Sequence, residues 1–437
     1  MAQPSPPADN ATPSLRRTVG VGGAVMLGLG SMIGTGVFVS IGIAAGLAGP
    51  AVTVAIILAA AVAACNALSS AQLAACHPVS GGTYEYGYRR LSPALGFAAG
   101  WMFLAAKTAS AATAALGFAA YALHAFGREA PEAALPVALA AVGALTVLVL
   151  TGLRRSNQVN VVIVSITLAT LTFFVLAGLP PALSAGRTHL RPFFPSDVLS
   201  LLEATALMFV AYTGYGRVAT LGEEIDEPRR NIPVAVVVTV SVTMIVYVAV
   251  GLVGVSVVGA ERFAAVVEEG GAPLEAVAAT YPVPGARWVL AAGAVTAMFG
   301  VLLNLILGLS RVALAMGRRG DLPAVFGRLN RQGTTPVAAV AACGVLIALL
   351  AVAGDVKTTW SFSAFTVLIY YALTNLAALR LTSVERLYPR WISWLGLLGC
   401  LSLAFWVEWR IWLSGLALLA AGLAWHAARR ALGHIKQ

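Results

Sequence analysis

The sequence predicts an all-α, polytopic membrane protein of about twelve spanning helices, and three observations carry that expectation. Of its 437 residues, 59% are apolar and only 11% are charged, where soluble domains carry roughly 25% charge. Its mean hydropathy is +0.86, and apolar runs long enough to cross a bilayer, roughly 18 residues or more, recur from one end to the other. Those runs are continuous and rich in Ala, Leu and Val rather than alternating. Backbone amides find no partners in lipid, so spans are either helices or closed barrels, and the lack of alternation selects helices.

Twelve spans follow in order: 20–46, 51–75, 94–126, 134–152, 158–179, 198–221, 233–258, 286–314, 336–353, 358–379, 391–407 and 411–429. The third and eighth exceed the roughly 20 residues a crossing needs, which permits tilt or extension beyond the membrane. The eleventh is short. Placing the N-terminus in the cytoplasm puts nineteen Lys and Arg residues inside, among them Arg16, Arg89, Arg154, Arg229, Arg318 and Arg386, against seven outside. That asymmetry is the positive-inside pattern, with both termini cytoplasmic. A net charge of +10 therefore reflects inner helix ends beside anionic headgroups, not a nucleic-acid surface.

Cys65, Cys76, Cys343 and Cys400 lie in apolar runs without metal-type spacing. They read as small buried hydrophobes, so no metal or other cofactor is implied. Residues 1–17, rich in Pro, Ala and Ser, read as a disordered cytoplasmic tail without the apolar core of a signal peptide. Residues 431–437 read as a second cytoplasmic tail.

Two spans carry glycines where a helix tolerates them poorly. The first contains Gly28-Leu-Gly-Ser-Met-Ile-Gly-Thr-Gly-Val-Phe38, and the sixth contains Phe209-Val-Ala-Tyr-Thr-Gly-Tyr-Gly-Arg217. Each glycine costs about 1 kcal/mol of helix propensity against Ala. One such cluster could equally mark close helix packing. Two clusters five spans apart point to interrupted helices, which survive at membrane depth where they are buried in protein or line a cavity. Free N–H groups at a half-helix N-terminus suit a carboxylate, and freed carbonyls suit an ammonium group or a cation. An α-amino acid has both ends. A nucleotide-binding glycine loop is excluded because no βαβ unit surrounds the motif.

At these residues the sequence resembles the amino acid–polyamine–organocation (APC) permeases. The resemblance covers the first-span motif with Ala48-Gly49-Pro50, then Pro78-Val-Ser-Gly-Gly-Thr-Tyr84 with Gly100-Trp101. It continues through Phe209–Tyr215 with Glu223-Glu224 and Pro228–Pro233, and ends near Ser310-Arg311, Ala315-Met316 and Leu322-Pro323. It implies a ten-helix core, residues 18–380, built as a five-plus-five inverted repeat with broken helices 1 and 6. Two peripheral helices then occupy 381–430. It also implies substrate contacts at Met32, Gly34, Thr35 and Gly36 in the first helix and at Val210, Ala211 and Thr213 in the sixth, mostly through backbone groups. The sequence departs from the family twice. Thr167 stands where many proton-coupled or exchanging relatives carry a fifth-helix Lys, and Gly216 stands before Arg217 where many carry Asp.

Lys107, in mid-third span, is one of three lysines in the chain. A central Lys normally faces a cavity or a partner. It is a candidate replacement for the missing fifth-helix Lys, occupying a cation site or relaying a proton, against a plainly structural role. Arg217 is a second coupling or gating candidate, with pairing to Glu203 or stabilisation of the interrupted helix as its alternatives. The loop Glu223–Arg230 reads as salt-bridging to basic neighbours such as Arg89 and Arg90, and the outer loop 261–284 as short amphipathic helices over a vestibule.

No catalytic constellation is present. The reading is a secondary transporter of amino acids, driven by a gradient of protons, Na⁺ or a counter-substrate. Neutral substrates are favoured because Lys107 and Arg217 oppose a cationic side chain. Cationic amino acid or polyamine transport, and a non-transporting sensor of the same fold, are the alternatives. The Ala/Arg-rich composition suits the plasma membrane of a bacterium.

Overall fold

The computed structural model describes residues 19–77, 81–127, 131–151, 157–194, 197–220 and 225–434. The expected disordered tail 1–17, the inner-loop pair Arg154 and Arg155, and Glu223 and Glu224 lie outside the described residues, as do residues 435–437 of the second tail.

The first span is split into α1 (Val21–Met32), a π turn (Gly36–Ser40) and α2 (Ile41–Ala48). A tight turn, Gly49–Ala51, with Gly49 at φ 59°, leads into the second span, α3 (Val52–Cys76). The short α4 (Thr83–Arg90) precedes α5 (Pro93–Ala125), whose first turn is capped by Ser92 accepting from Leu95 N–H at 3.3 Å. There follow α6 (Pro131–Leu150) and α7 (Asn157–His189). The sixth span comprises α8 (Val198–Tyr212), capped by Asp197, a 3₁₀ turn (Thr213–Tyr215) and α9 (Gly216–Thr220). Beyond it come α10 (Pro228–Val258), the short α11 (Ala260–Glu268) and α12 (Pro273–Ala278), and α13 (Ala286–Arg319). The chain ends with α14 (Val337–Ala353), α15 (Val356–Leu379), α16 (Arg390–Ala404) and α17 (Trp409–His434).

Nine helical runs among the described residues are long and apolar enough to cross a membrane, one of them joining the second half of the first span to the second. The shorter apolar helices α1, α14 and α16 complete twelve spans. The order is that of a five-plus-five inverted repeat with interrupted first and sixth members, followed by two further helices. Large apolar side chains such as Ile57, Val345, Leu349, Trp394 and Leu398 are exposed on the bundle's flanks, as surfaces meeting lipid require.

Span boundaries lie within a few residues of the sequence expectation, with one clear difference. The fifth span was expected to end at 179, yet α7 continues through Pro180-Pro181 to His189. Prolines remove two helical donors, but the extension is held by tertiary contact: His189 Nδ1 lies 2.9 Å from the Ser256 carbonyl at the end of α10.

The last two helices are tied by buried polar groups rather than by apolar packing alone. Asn66 on α3 donates to Cys400 Sγ at 3.1 Å, and the Ser69 and Ser393 hydroxyls are 2.9 Å apart. On α17, His426 lies 3.2 Å from Asp321, whose carboxylate also accepts from the Tyr84 and Tyr88 hydroxyls of α4. Buried polar contacts of this kind fix the register of packed helices.

Candidate functional site

The first-span interruption is built by Ile33 and Gly34. Ile33 is extended (φ −82°, ψ 100°), and Val37 and Phe38 both donate to the Gly34 carbonyl at 3.1 Å. The second half-helix therefore begins with the N–H groups of Thr35 and Gly36 ahead of its first hydrogen bond, the donors that a helix N-terminus leaves open. Thr35 is buried, and its hydroxyl oxygen has no hydrogen-bond partner.

The sixth span is interrupted differently. Thr213 N–H donates back to the Val210 carbonyl, and the chain tightens into one 3₁₀ turn before α9. Sequence reasoning expected unwound backbone here. The observed break is a tightening, because i→i+3 bonding shifts the carbonyl register without opening the chain.

Three tyrosines complete the carbonyls around these breaks. Tyr247 of α10 donates to the Met32 carbonyl at 2.7 Å and stands 3.3 Å from the Ala211 carbonyl, so one hydroxyl bridges both interrupted spans. Tyr371 of α15 donates to the Thr213 carbonyl at 3.0 Å. Tyr121 of α5 donates to the Phe38 carbonyl at 2.7 Å and accepts from Leu274 N–H of α12 at 3.1 Å.

Glycine is required at two of the crossings. A Cβ on Gly36 would stand 2.6 Å from Ala211 Cβ and 2.9 Å from the Tyr247 hydroxyl. A Cβ on Gly214 would run into the Ser31 carbonyl and stand 2.6 Å from Met32 N. The two interruptions thus pack backbone against backbone.

This geometry brings the seven expected contact positions into one region. Gly36 faces Ala211, Met32 and Ala211 share Tyr247, and Val210 accepts the Thr213 hydroxyl at 2.8 Å. Gly34 packs on Val301 of α13. A cavity of about 1120 Å³ reaches this region, with Ser31, Lys107, Thr213 and Gly214 at its deep end and Arg311 and Arg319 at its mouth. Met32, Gly34, Thr35, Gly36, Val210 and Ala211 lie behind that deep end and are not part of its wall. At the opposite end of the bundle, α11 packs on Gly42 of α2, and His124 of α5 lies 3.3 Å from Glu275 of α12.

The coupling and gating candidates separate. Lys107 donates to Thr213 Oγ1 at 2.8 Å and lines the cavity, as does Arg217. Thr167 does neither: it is buried and donates to its own helix, to the Ile163 carbonyl at 2.8 Å. The fifth-to-first contact is made instead by Asn160, which donates to the Met26 carbonyl at 2.8 Å. Glu203 lies fourteen positions before Arg217 in the same span, about 21 Å along a helix axis, so those two do not pair. Asn160, Tyr247 and Tyr371 were missed from sequence. Their signal is a polar tip in an apolar run, which must find a partner inside the protein.

Among the described residues, Arg90 bonds Glu385 in the loop before α16, together with His77. The Arg90 guanidinium, helped by Thr382, holds the Glu385 carboxyl down at about 2. Arg319 meets Glu85 at 2.6 Å beside the cavity mouth.

Comparison with known proteins agrees with this architecture. The sequence pattern described as "Amino acid permease" matches residues 23–431. An uncharacterized transporter of Mycobacterium tuberculosis is 39% identical over 433 residues, 98% of this chain and 95% of the relative. A branched-chain amino acid permease of Bacillus subtilis is 29% identical, covering 78% of this chain and 76% of the relative. A vacuolar cationic amino acid transporter of Arabidopsis thaliana is 28% identical, covering 76% of this chain and 58% of the relative. With a match across nearly its whole length and two interrupted spans at the head of a deep cavity, the chain belongs to the amino acid permease family of the APC superfamily.

Proposed function

We propose that this protein moves neutral amino acids across a cell membrane by alternating access around the two interrupted spans. The observation that supports this most is the convergence of both breaks at the deep end of a cavity open toward the arginine-rich end of the bundle. In this reading the α-carboxylate takes the N–H groups of Thr35 and Gly36, and the α-ammonium takes carbonyls of the two breaks. Thr213 lines the pocket, and Met32, Gly34, Val210 and Ala211 back it from behind its deep end. The arginine-rich face is cytoplasmic, as are both termini, so this conformation is open to the inside.

The driving force is a gradient of protons or exchanged substrate. Lys107 and Arg217 are the gating groups, being the cations that line the cavity nearest the sixth-span break. A cationic substrate is the second reading, and the similarity to the Arabidopsis cationic amino acid transporter favours it. The positive lining opposes it.

Uptake into proteoliposomes of labelled leucine, alanine, glutamine and arginine, with and without proton and Na⁺ gradients, tests the proposal. Neutral amino acids are expected to enter at least about tenfold faster than arginine, the factor that about 1.4 kcal/mol of charge repulsion provides. Faster arginine uptake, or none for any neutral amino acid, contradicts it.

A further inference from the structure

We infer that Lys107 is a specificity-determining residue, forming a subsite for an oxygen-ended substrate side chain, a carboxylate or a carboxamide. The inference rests on the amino acid transport reading and adds a side-chain subsite to it: a carboxamide end narrows the neutral class proposed above, and a carboxylate end replaces it.

An ammonium has three donors. One of them goes to Thr213 Oγ1 at 2.8 Å, and the Thr213 proton is itself committed to the Val210 carbonyl at 2.8 Å. Thr213 is therefore an acceptor toward Lys107, and it anchors the ammonium at the sixth-span break. Among the described residues, no carboxylate lies within ion-pair distance of Lys107. Glu85, an acidic residue of the cavity wall, is held by Arg319 at 2.6 Å.

Water supplies the remaining acceptors while the cavity is open. Closure of an alternating-access site expels that water and leaves a mid-span charge that needs a partner. The N–H groups assigned to the α-carboxylate belong to the first span, whereas Lys107 stands on the sixth-span side of the cavity. A second substrate oxygen is what fits there. Phe103, Val301 and Tyr370 line the same cavity and suit the intervening methylenes. Arg217 adds positive potential, which disfavours a cationic end group.

The test compares kcat/KM for glutamate, glutamine, leucine and arginine in proteoliposomes for wild type, Lys107→Met and Lys107→Arg. Wild type is expected to prefer glutamate or glutamine over leucine, and these two arms separate carboxylate from carboxamide. Lys107→Met should lower kcat/KM for the preferred substrate about 10- to 100-fold more than it lowers that for leucine, the range of a lost charge-assisted hydrogen bond, so that a general effect on gating cancels in the ratio. Lys107→Arg should keep the wild-type order. Should Lys107→Met lose leucine as well, Lys107→Gln, which keeps a donor for Thr213, decides: leucine restored with glutamate still lost supports the inference. Equal loss of all four substrates in both variants, or an unchanged order in Lys107→Met, overturns it. Uptake of none of the four by wild type overturns the amino acid transport reading as well.

Discussion

Tyr247 sets one hydroxyl between the carbonyls of Met32 and Ala211, and so makes the relative position of the two breaks depend on a single buried side chain. Tyr247→Phe keeps the ring and removes that hydroxyl, leaving carbonyls unsatisfied. The expected loss is about 1–3 kcal/mol of stability, read as a lower unfolding temperature in detergent, with reduced uptake. Glycine substitutions supply a graded series. Gly214→Ala meets backbone of Ser31 and Met32, which cannot give way, and should abolish uptake. Gly36→Ala meets Ala211 and the Tyr247 hydroxyl and should impair it strongly, whereas Gly22→Ala meets nothing within 4 Å and should leave uptake unchanged. The glycine clusters were legible in the sequence because glycine is costly in a helix and conspicuous there. Tyr247 and Asn160 were not, because nothing local says which distant carbonyl a polar tip will reach.

At the scale of elements, hydropathy located every span, since lipid leaves the backbone few choices. The extension of α7 past Pro180-Pro181 and the 3₁₀ form of the sixth-span break escaped it. Both are decided by packing against α10 and by the Ser31–Gly214 crossing, which are long-range contacts. The same holds for the Arg90–Glu385 bond, which joins the loop before α16 to the end of α4. Arg90 lowers the Glu385 carboxyl to about 2, so the sign of its linkage is fixed. Its stabilising effect is present above the ordinary carboxylate range and is lost as pH falls through that range toward 2. Glu385→Gln should therefore unfold at a lower temperature than wild type at pH 7, and the difference should shrink steadily below about pH 4. A difference that grows on acidification would contradict the assignment.

The whole molecule presents a deep cavity toward its arginine-rich end, while α11 and α12 cover the other end through Gly42, Tyr121 and Glu275. Accessibility follows from that asymmetry. In sealed vesicles, Asn304→Cys and Ser310→Cys, which line the cavity, should react with a membrane-impermeant thiol reagent from the arginine-rich side. Thr35→Cys, buried behind the deep end, should react slowly from either side. The central claim is that the interrupted first and sixth spans hold a zwitterion, and an experimental structure with a transported amino acid bound tests it most directly. The account predicts the α-carboxylate within hydrogen-bond distance of Thr35 and Gly36 N–H, with the ammonium on carbonyls of the two breaks. Substrate density elsewhere in the bundle, with both glycine-rich stretches continuous and fully bonded helix, would contradict it.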